Sequence, residues 1–119
     1  MKDIEKWIDS LFENTIPDEV VGIAFNLYED GENEWSIEMV GSNIFDEKDP
    51  DWACKEVFDA RDSTLSWVQN TTWEEILKET ISKIQKYIEA GKYAERIKSY
   101  AGVGVGFVDG DITIVYKNN

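Results

Sequence analysis

The chain has 119 residues, 42% of them hydrophobic and 13% aromatic, and carries a formal charge of −13 at neutral pH. That is enough apolar side chain for one buried core and a single domain over residues 1–119, and too much for a disordered chain. The charge disfavours nucleic acid and anionic membrane as partners, because both contacts need Lys and Arg to displace counterions.

Ile4, Trp7, Ile8, Leu11 and Phe12 fall at i, i+3, i+4, i+7 and i+8, which predicts an amphipathic helix over residues 2–13. Basic flanks suited to a membrane surface are absent, so the stripe is expected to pack in the core. Pro17 ends the segment. Val21, Ile23, Phe25 and Leu27 then alternate with Gly22, Ala24, Asn26 and Tyr28, as in a half-buried strand. Asp30-Gly31-Glu32-Asn33 forms a turn. Trp35, Ile37 and Met39 face inward on the returning strand, with Ser36 and Glu38 outward.

Residues 42–71 keep no helical period and are interrupted by Pro50. They read as an irregular segment anchored by its aromatic side chains, with short strands expected near 53–58 and 64–68. Thr72-Trp73-Glu74-Glu75 is a capping box. It opens a helix to about Ala90, whose stripe contains Trp73, Ile76, Leu77, Thr80, Ile81, Ile84, Tyr87 and Ile88. Glu74–Lys78 and Glu79–Lys83 are spaced to solvate its outer face as i,i+4 pairs. Gly91 reads either as a C-cap or as a break before helix resumes toward Tyr100. Val103 to Tyr116 is a hairpin centred on Asp109-Gly110, a two-residue turn signal, and Asn118-Asn119 is expected to fray. The fold class is therefore α+β: an antiparallel sheet of four to six strands, with helix 72–100 and the short N-terminal helix packed on one face.

No apolar run follows the N-terminal charges, so neither a signal peptide nor a membrane span is expected. The single Cys54 allows no intramolecular disulfide and fits a reducing cytosol, which makes the cytoplasm the expected location. Cys54 itself is expected to be a buried structural thiol. The chain has no His, which removes the usual proton shuttle, the commonest metal ligand and the Ser–His and Cys–His nucleophile pairs.

Gly102-Val-Gly-Val-Gly106 lies within a strand, not between a strand and a helix N-terminus, so it is not a phosphate-binding loop. Its alternation puts Val103, Val105 and Phe107 on one face and three glycines on the other. That bare face admits close approach of another element, expected to come from the same chain. Asp46, Glu47, Asp49 and Asp51 lack the central glycine and helix pair of an EF-hand, so no metal and no cofactor are expected.

The negative charge is concentrated. Residues 29–62 hold twelve acids against three bases, whereas residues 63–100 hold five acids against six bases. A dense acidic field speeds encounter with a basic protein, and Trp is a favoured interface anchor. The candidate docking residues are Asp30, Glu32, Glu34, Asp46, Glu47, Asp49, Asp51, Asp59 and Asp62, with Trp52 and Trp67 as aromatic anchors.

Asp51-Trp-Ala-Cys-Lys-Glu-Val-Phe58 and Gly104-Val-Gly-Phe-Val-Asp-Gly-Asp-Ile112, in a small, strongly acidic, cysteine-poor chain, resemble the immunity proteins of bacterial polymorphic-toxin systems. The resemblance implies a non-catalytic inhibitor that occludes a cognate toxin, often a basic nuclease, in the cytoplasm. Two alternatives stay open. One is a general interaction or scaffold domain, dimerising through the glycine-faced strand. The other is a small carboxylate-based hydrolase, which would show a deep cleft lined by two or more acids.

Overall fold

The computed structural model describes residues 3–118. Its elements are α1 (Ile4–Phe12), β1 (Gly22–Gly31), β2 (Glu34–Ser42), β3 (Glu56–Asp59), β4 (Leu65–Val68), α2 (Trp73–Ala90), α3 (Ala94–Ile97), β5 (Gly102–Phe107) and β6 (Thr113–Lys117). Single 3-10 turns lie at Pro50–Cys54 and Arg61–Ser63. Lys2, expected to start the first helix, lies outside the described residues.

β1 and β2 form the antiparallel hairpin that their alternation predicts, from Gly22 opposite Ser42 to Gly31 opposite Glu34. Asn33 closes the turn at φ 61°, a left-handed conformation that its short polar side chain tolerates. The strands expected near 53–58 and 64–68 are β3 and β4, which share the outer edge of β2. The sheet runs β3-β2-β1-β5-β6, with β4 beside β2.

The all-antiparallel expectation is corrected at β5, which runs parallel to β1 from Gly22 opposite Gly102 to Leu27 opposite Phe107. A parallel neighbour needs a long crossover, and the segment containing α2 supplies it. The result is an α+β fold with a six-stranded, mostly antiparallel mixed sheet.

One face of the sheet carries Ile23, Phe25, Leu27, Trp35, Ile37, Met39, Val103 and Val105, all buried beneath the helices. Ile4, Trp7, Ile8, Leu11 and Phe12 of α1 are buried there, as their spacing predicts. α2 adds Ile76, Ile84, Tyr87 and Ile88. Each large aliphatic chain removed from water in this way stabilises the fold by roughly 1.5–3 kcal/mol. The Tyr87 hydroxyl donates to Asp9 at 2.6 Å and ties α2 to α1. Thr72 caps α2 by accepting the Glu75 N–H at 3.3 Å. Gly91 is a break: α2 stops there and helix resumes only briefly as α3. The Glu74–Lys78 and Glu79–Lys83 pairs are not among the ion pairs of the described residues, and Glu79 instead accepts from Gln69 at 3.1 Å.

The other face is covered as well. Phe45 lies over Gly102, Trp52 over Gly22 and Gly104, and Ile112 over Gly104. Ala24 and Val40 complete this smaller core. The glycine face is thus filled by the chain itself, which removes it as a dimerisation surface. Ser36 and Glu38 point to this second face as expected, yet both are buried. Glu38 is only 3% exposed because Tyr28 and Arg61 close over it.

Three further expectations change. β5 and β6 form a hairpin, but residues 108–112 connect them and no described glycine takes a positive φ, so the turn is not the tight Asp109-Gly110 type. The wider connection brings Asp111 and Ile112 back onto Gly106 and Gly104. Cys54 is exposed at the end of its 3-10 turn, not buried. Asn118 is tied down, its N–H donating to the Ala101 carbonyl at 2.9 Å, while Asn119 lies outside the described residues. No helix among the described residues is long and apolar enough to cross a membrane.

A Cβ on Gly106 would stand 2.4 Å from the Asp111 carbonyl oxygen, a backbone atom, whereas one on Gly110 meets nothing closer than 3.8 Å. Gly106→Ala should therefore cost roughly 1–3 kcal/mol. Gly110→Ala should be neutral or slightly stabilising. Urea unfolding midpoints of the two variants check the contrast; equal midpoints would contradict the packing described.

Candidate functional site

The candidate acids do not form one surface. Asp30, Glu32 and Glu34 sit at the β1–β2 turn. Asp46, Glu47, Asp49 and Asp51 sit on the strap between Phe45 and Trp52, beside the start of β5, where Glu47 pairs with Lys117 at 2.9 Å. The length of β1 separates the two groups by about 30 Å at 3.3 Å per residue.

Several strap acids shape local backbone. Asp46 accepts the Lys48 N–H at 2.9 Å, and Asp49 accepts the Asp51 N–H at 3.1 Å. Asp59 lies 3.5 Å from the Arg61 guanidinium, which also bonds Glu38 at 3.0 Å and Glu56 at 2.8 Å. Asp62 is exposed in the neighbouring 3-10 turn. Of the two expected anchors, Trp52 is only 2% exposed and serves the second core. Trp67 is half-buried, packed on the main core and opposite Trp35.

The turn end of the sheet gathers residues from four parts of the chain. Gln69 donates its N–H to the Asn33 carbonyl at 2.9 Å, bringing the end of β4 and the start of α2 to the β1–β2 turn. Val108 donates to the Leu27 carbonyl at 3.0 Å, bringing in the β5–β6 connection. Trp73 stands edge-to-face on Phe107 at 5.9 Å, and Phe107 on Trp35 at 6.1 Å.

Among the described residues, three of the five exposed large hydrophobic side chains lie toward this end: Trp73 at 50% and Val108 at 56% line one cleft, and Val68 at 77% lines a separate hollow with Asp30 and Glu34. The same end carries Glu29, Asp30, Glu32 and Glu34 from the first turn, Asp109 and Asp111 from the second, and Glu74 and Glu75 from α2. All eight are exposed, and none joins an ion pair among the described residues. An apolar centre with a charged rim is the usual anatomy of a protein interface.

Trp73, Leu77 and Ile81, at i, i+4 and i+8, form the outer row of the α2 stripe and border a shallow groove along the helix. On its other side Trp73 borders a cleft of about 530 Å³ at the C-terminal end of β5, beside residues 27–29 of β1. Tyr28, Phe107 and Val108 line it, with the carboxylates of Glu29 and Asp109. This cleft does hold two carboxylates, the feature expected of a hydrolase. Both are solvent-exposed. Among the described residues no group of three or more Cys, Asp or Glu side chains is placed to hold a metal ion.

Sequence reasoning missed Trp73, Val68, Val108, Asp109 and Asp111 as surface residues. The available signal was the position of Trp73 at the first residue of α2 and on the margin of its stripe. The turns could not be brought together without knowing that β5 runs parallel to β1. Neither a family model, nor a curated protein, nor a solved structure matches this chain. Fold and surface together define a small α+β domain with exposed apolar side chains and carboxylates at the turn end of its sheet.

Tyr28 links the cleft to the second face. Its hydroxyl donates to Glu38 at 2.5 Å, and burial, followed by that carboxylate, pushes its pKa up to about 12. The neutral phenol is the form the fold favours. Its stabilising effect is complete below the unfolded value near 10 and is lost as pH rises through about 12. Urea unfolding from pH 9 to 12 should show the midpoint falling above pH 10, and falling less in Tyr28→Phe. Tyr87, raised by burial and by Asp9, leaves part of the decline in that variant. Identical pH profiles would rule the Tyr28 contribution out.

Proposed function

We propose that this chain is a non-catalytic protein-binding domain of the immunity type, which docks a basic toxin in the cytoplasm through the turn end of its sheet. The observation that carries the reading is the pairing of Trp73 and Val108, both strongly exposed, on one cleft that also holds Glu29 and Asp109, carboxylates that no cation among the described residues pairs. A folded domain gains nothing from leaving these apolar groups in water, and a partner that covers them recovers their burial. The acidic rim speeds encounter with a positive surface and rejects acidic ones. The site is displaced from the acidic segment alone: it keeps Asp30, Glu32 and Glu34 and exchanges Trp52 for Trp73 as its anchor.

The test looks for a basic toxin domain encoded beside this chain and measures its capture at low and high salt; finding none there would count against the reading. Trp73→Ala combined with Val108→Asp should weaken capture by about a hundredfold, as loss of a central anchor does, with the unfolding midpoint little changed. Affinity should also fall as salt rises. Capture that survives this double substitution but is lost on neutralising Asp46, Glu47, Asp49 and Asp51 would place docking at the opposite end and refute the assignment.

A further inference from the structure

On the docking reading above, the cleft beside Trp73 selects among basic side chains, and we propose that it receives an arginine of the protein partner. The cleft opens where β5 ends at Phe107, beside Leu27 of β1, four residues before that strand ends at Gly31. Glu29 from β1 and Asp109 from the β5–β6 connection line it, while Trp73 and Phe107 supply flat aromatic surface and Val108 adds an exposed aliphatic side chain. Among the described residues no Lys or Arg lines it. The Tyr28 hydroxyl is already committed to Glu38, so what the cleft offers an incoming group is an aromatic surface and two acceptors.

Those are the two things a guanidinium uses at once. It is planar and weakly hydrated, stacks on an indole, and directs a fork of N–H donors to carboxylates at its edge. An ammonium is compact and strongly hydrated, so it gains from the carboxylates but gives up more water to pass between apolar walls. The acids alone would attract either cation. The ring between them makes the distinction, and Trp73 becomes a specificity residue as well as an anchor.

Two acetylated, amidated probes test this: a glycine-spaced peptide with three arginines and its counterpart with three lysines. Affinity is read by calorimetry, and the site by the Trp73 indole N–H resonance, assigned through Trp73→Phe. The arginine peptide should bind about tenfold more tightly and shift that resonance, and Trp73→Leu should abolish the preference. Equal affinities, both weakened by Glu29→Gln with Asp109→Asn, would overturn the arginine assignment and leave acidic docking at this end intact. Peptides that bind without moving the Trp73 resonance would overturn the assignment and the turn-end reading together.

Discussion

Direct contact between aromatic rings and bare strand backbone holds the second layer of this protein in place. A Cβ on Gly102 would stand 2.1 Å from the Phe45 ring, and one on Gly22 would stand 2.8 Å from Trp52. Only because those atoms are missing can Phe45, Trp52 and Ile112 lie close against the strands. The sheet thereby becomes the middle layer of three: helices on one side, a strap on the other. Trp52 bears a cost for its place, since its indole N–H is buried without a hydrogen-bond partner among the described residues. The dispersion contacts of a large ring seated on glycine offset an unmade bond of that kind, which costs about 1–3 kcal/mol.

The same seating organises the electrostatics. With Phe45 and Trp52 fixed, the four acids between them are held at the start of β5, away from the β1–β2 turn. Arg61 gathers Glu38, Glu56 and Asp59 at the β3 end of β2. Removing those groups leaves the turn end as the place where Trp73 and Val108 lie exposed beside Glu29 and Asp109, while the strap end carries the exposed Ile44. The acidic field therefore differs in kind along the molecule: partly satisfied by its own cations at one end, open at the other.

Much of the fold was legible because periodicity reports burial directly. α1, α2 and the β1–β2 hairpin all repeat their apolar residues at the spacing of the element they form. Period two does not distinguish a parallel from an antiparallel neighbour, so the pairing of β1 with β5 was invisible. Alternation also tells which face a side chain takes, not what lies over that face. Glu38 faced as expected and was nonetheless buried. The candidate site was less legible for a related reason. Acids close in sequence were separated by the length of a strand, while acids some 40 to 80 positions apart were brought together by a crossover that no local pattern encodes. Trp73 belongs to the apolar stripe, which points inward, but its place in the first turn of α2 leaves it at the rim.

The β1–β5 pairing also has a bearing on how the chain reaches this state. The central strand of the sheet gains its second neighbour only from a segment 80 positions later. Until Gly102–Phe107 has been synthesised, the β1–β2 hairpin has an open inner edge, with Ile23, Phe25 and Leu27 ready to pair with any other extended chain. Closing so large a loop is slow, because its entropy is lost before the new ladder repays it. The early chain is shielded meanwhile by its own composition: its first 62 residues carry a net −13, so two unfinished copies repel each other before their edges can meet.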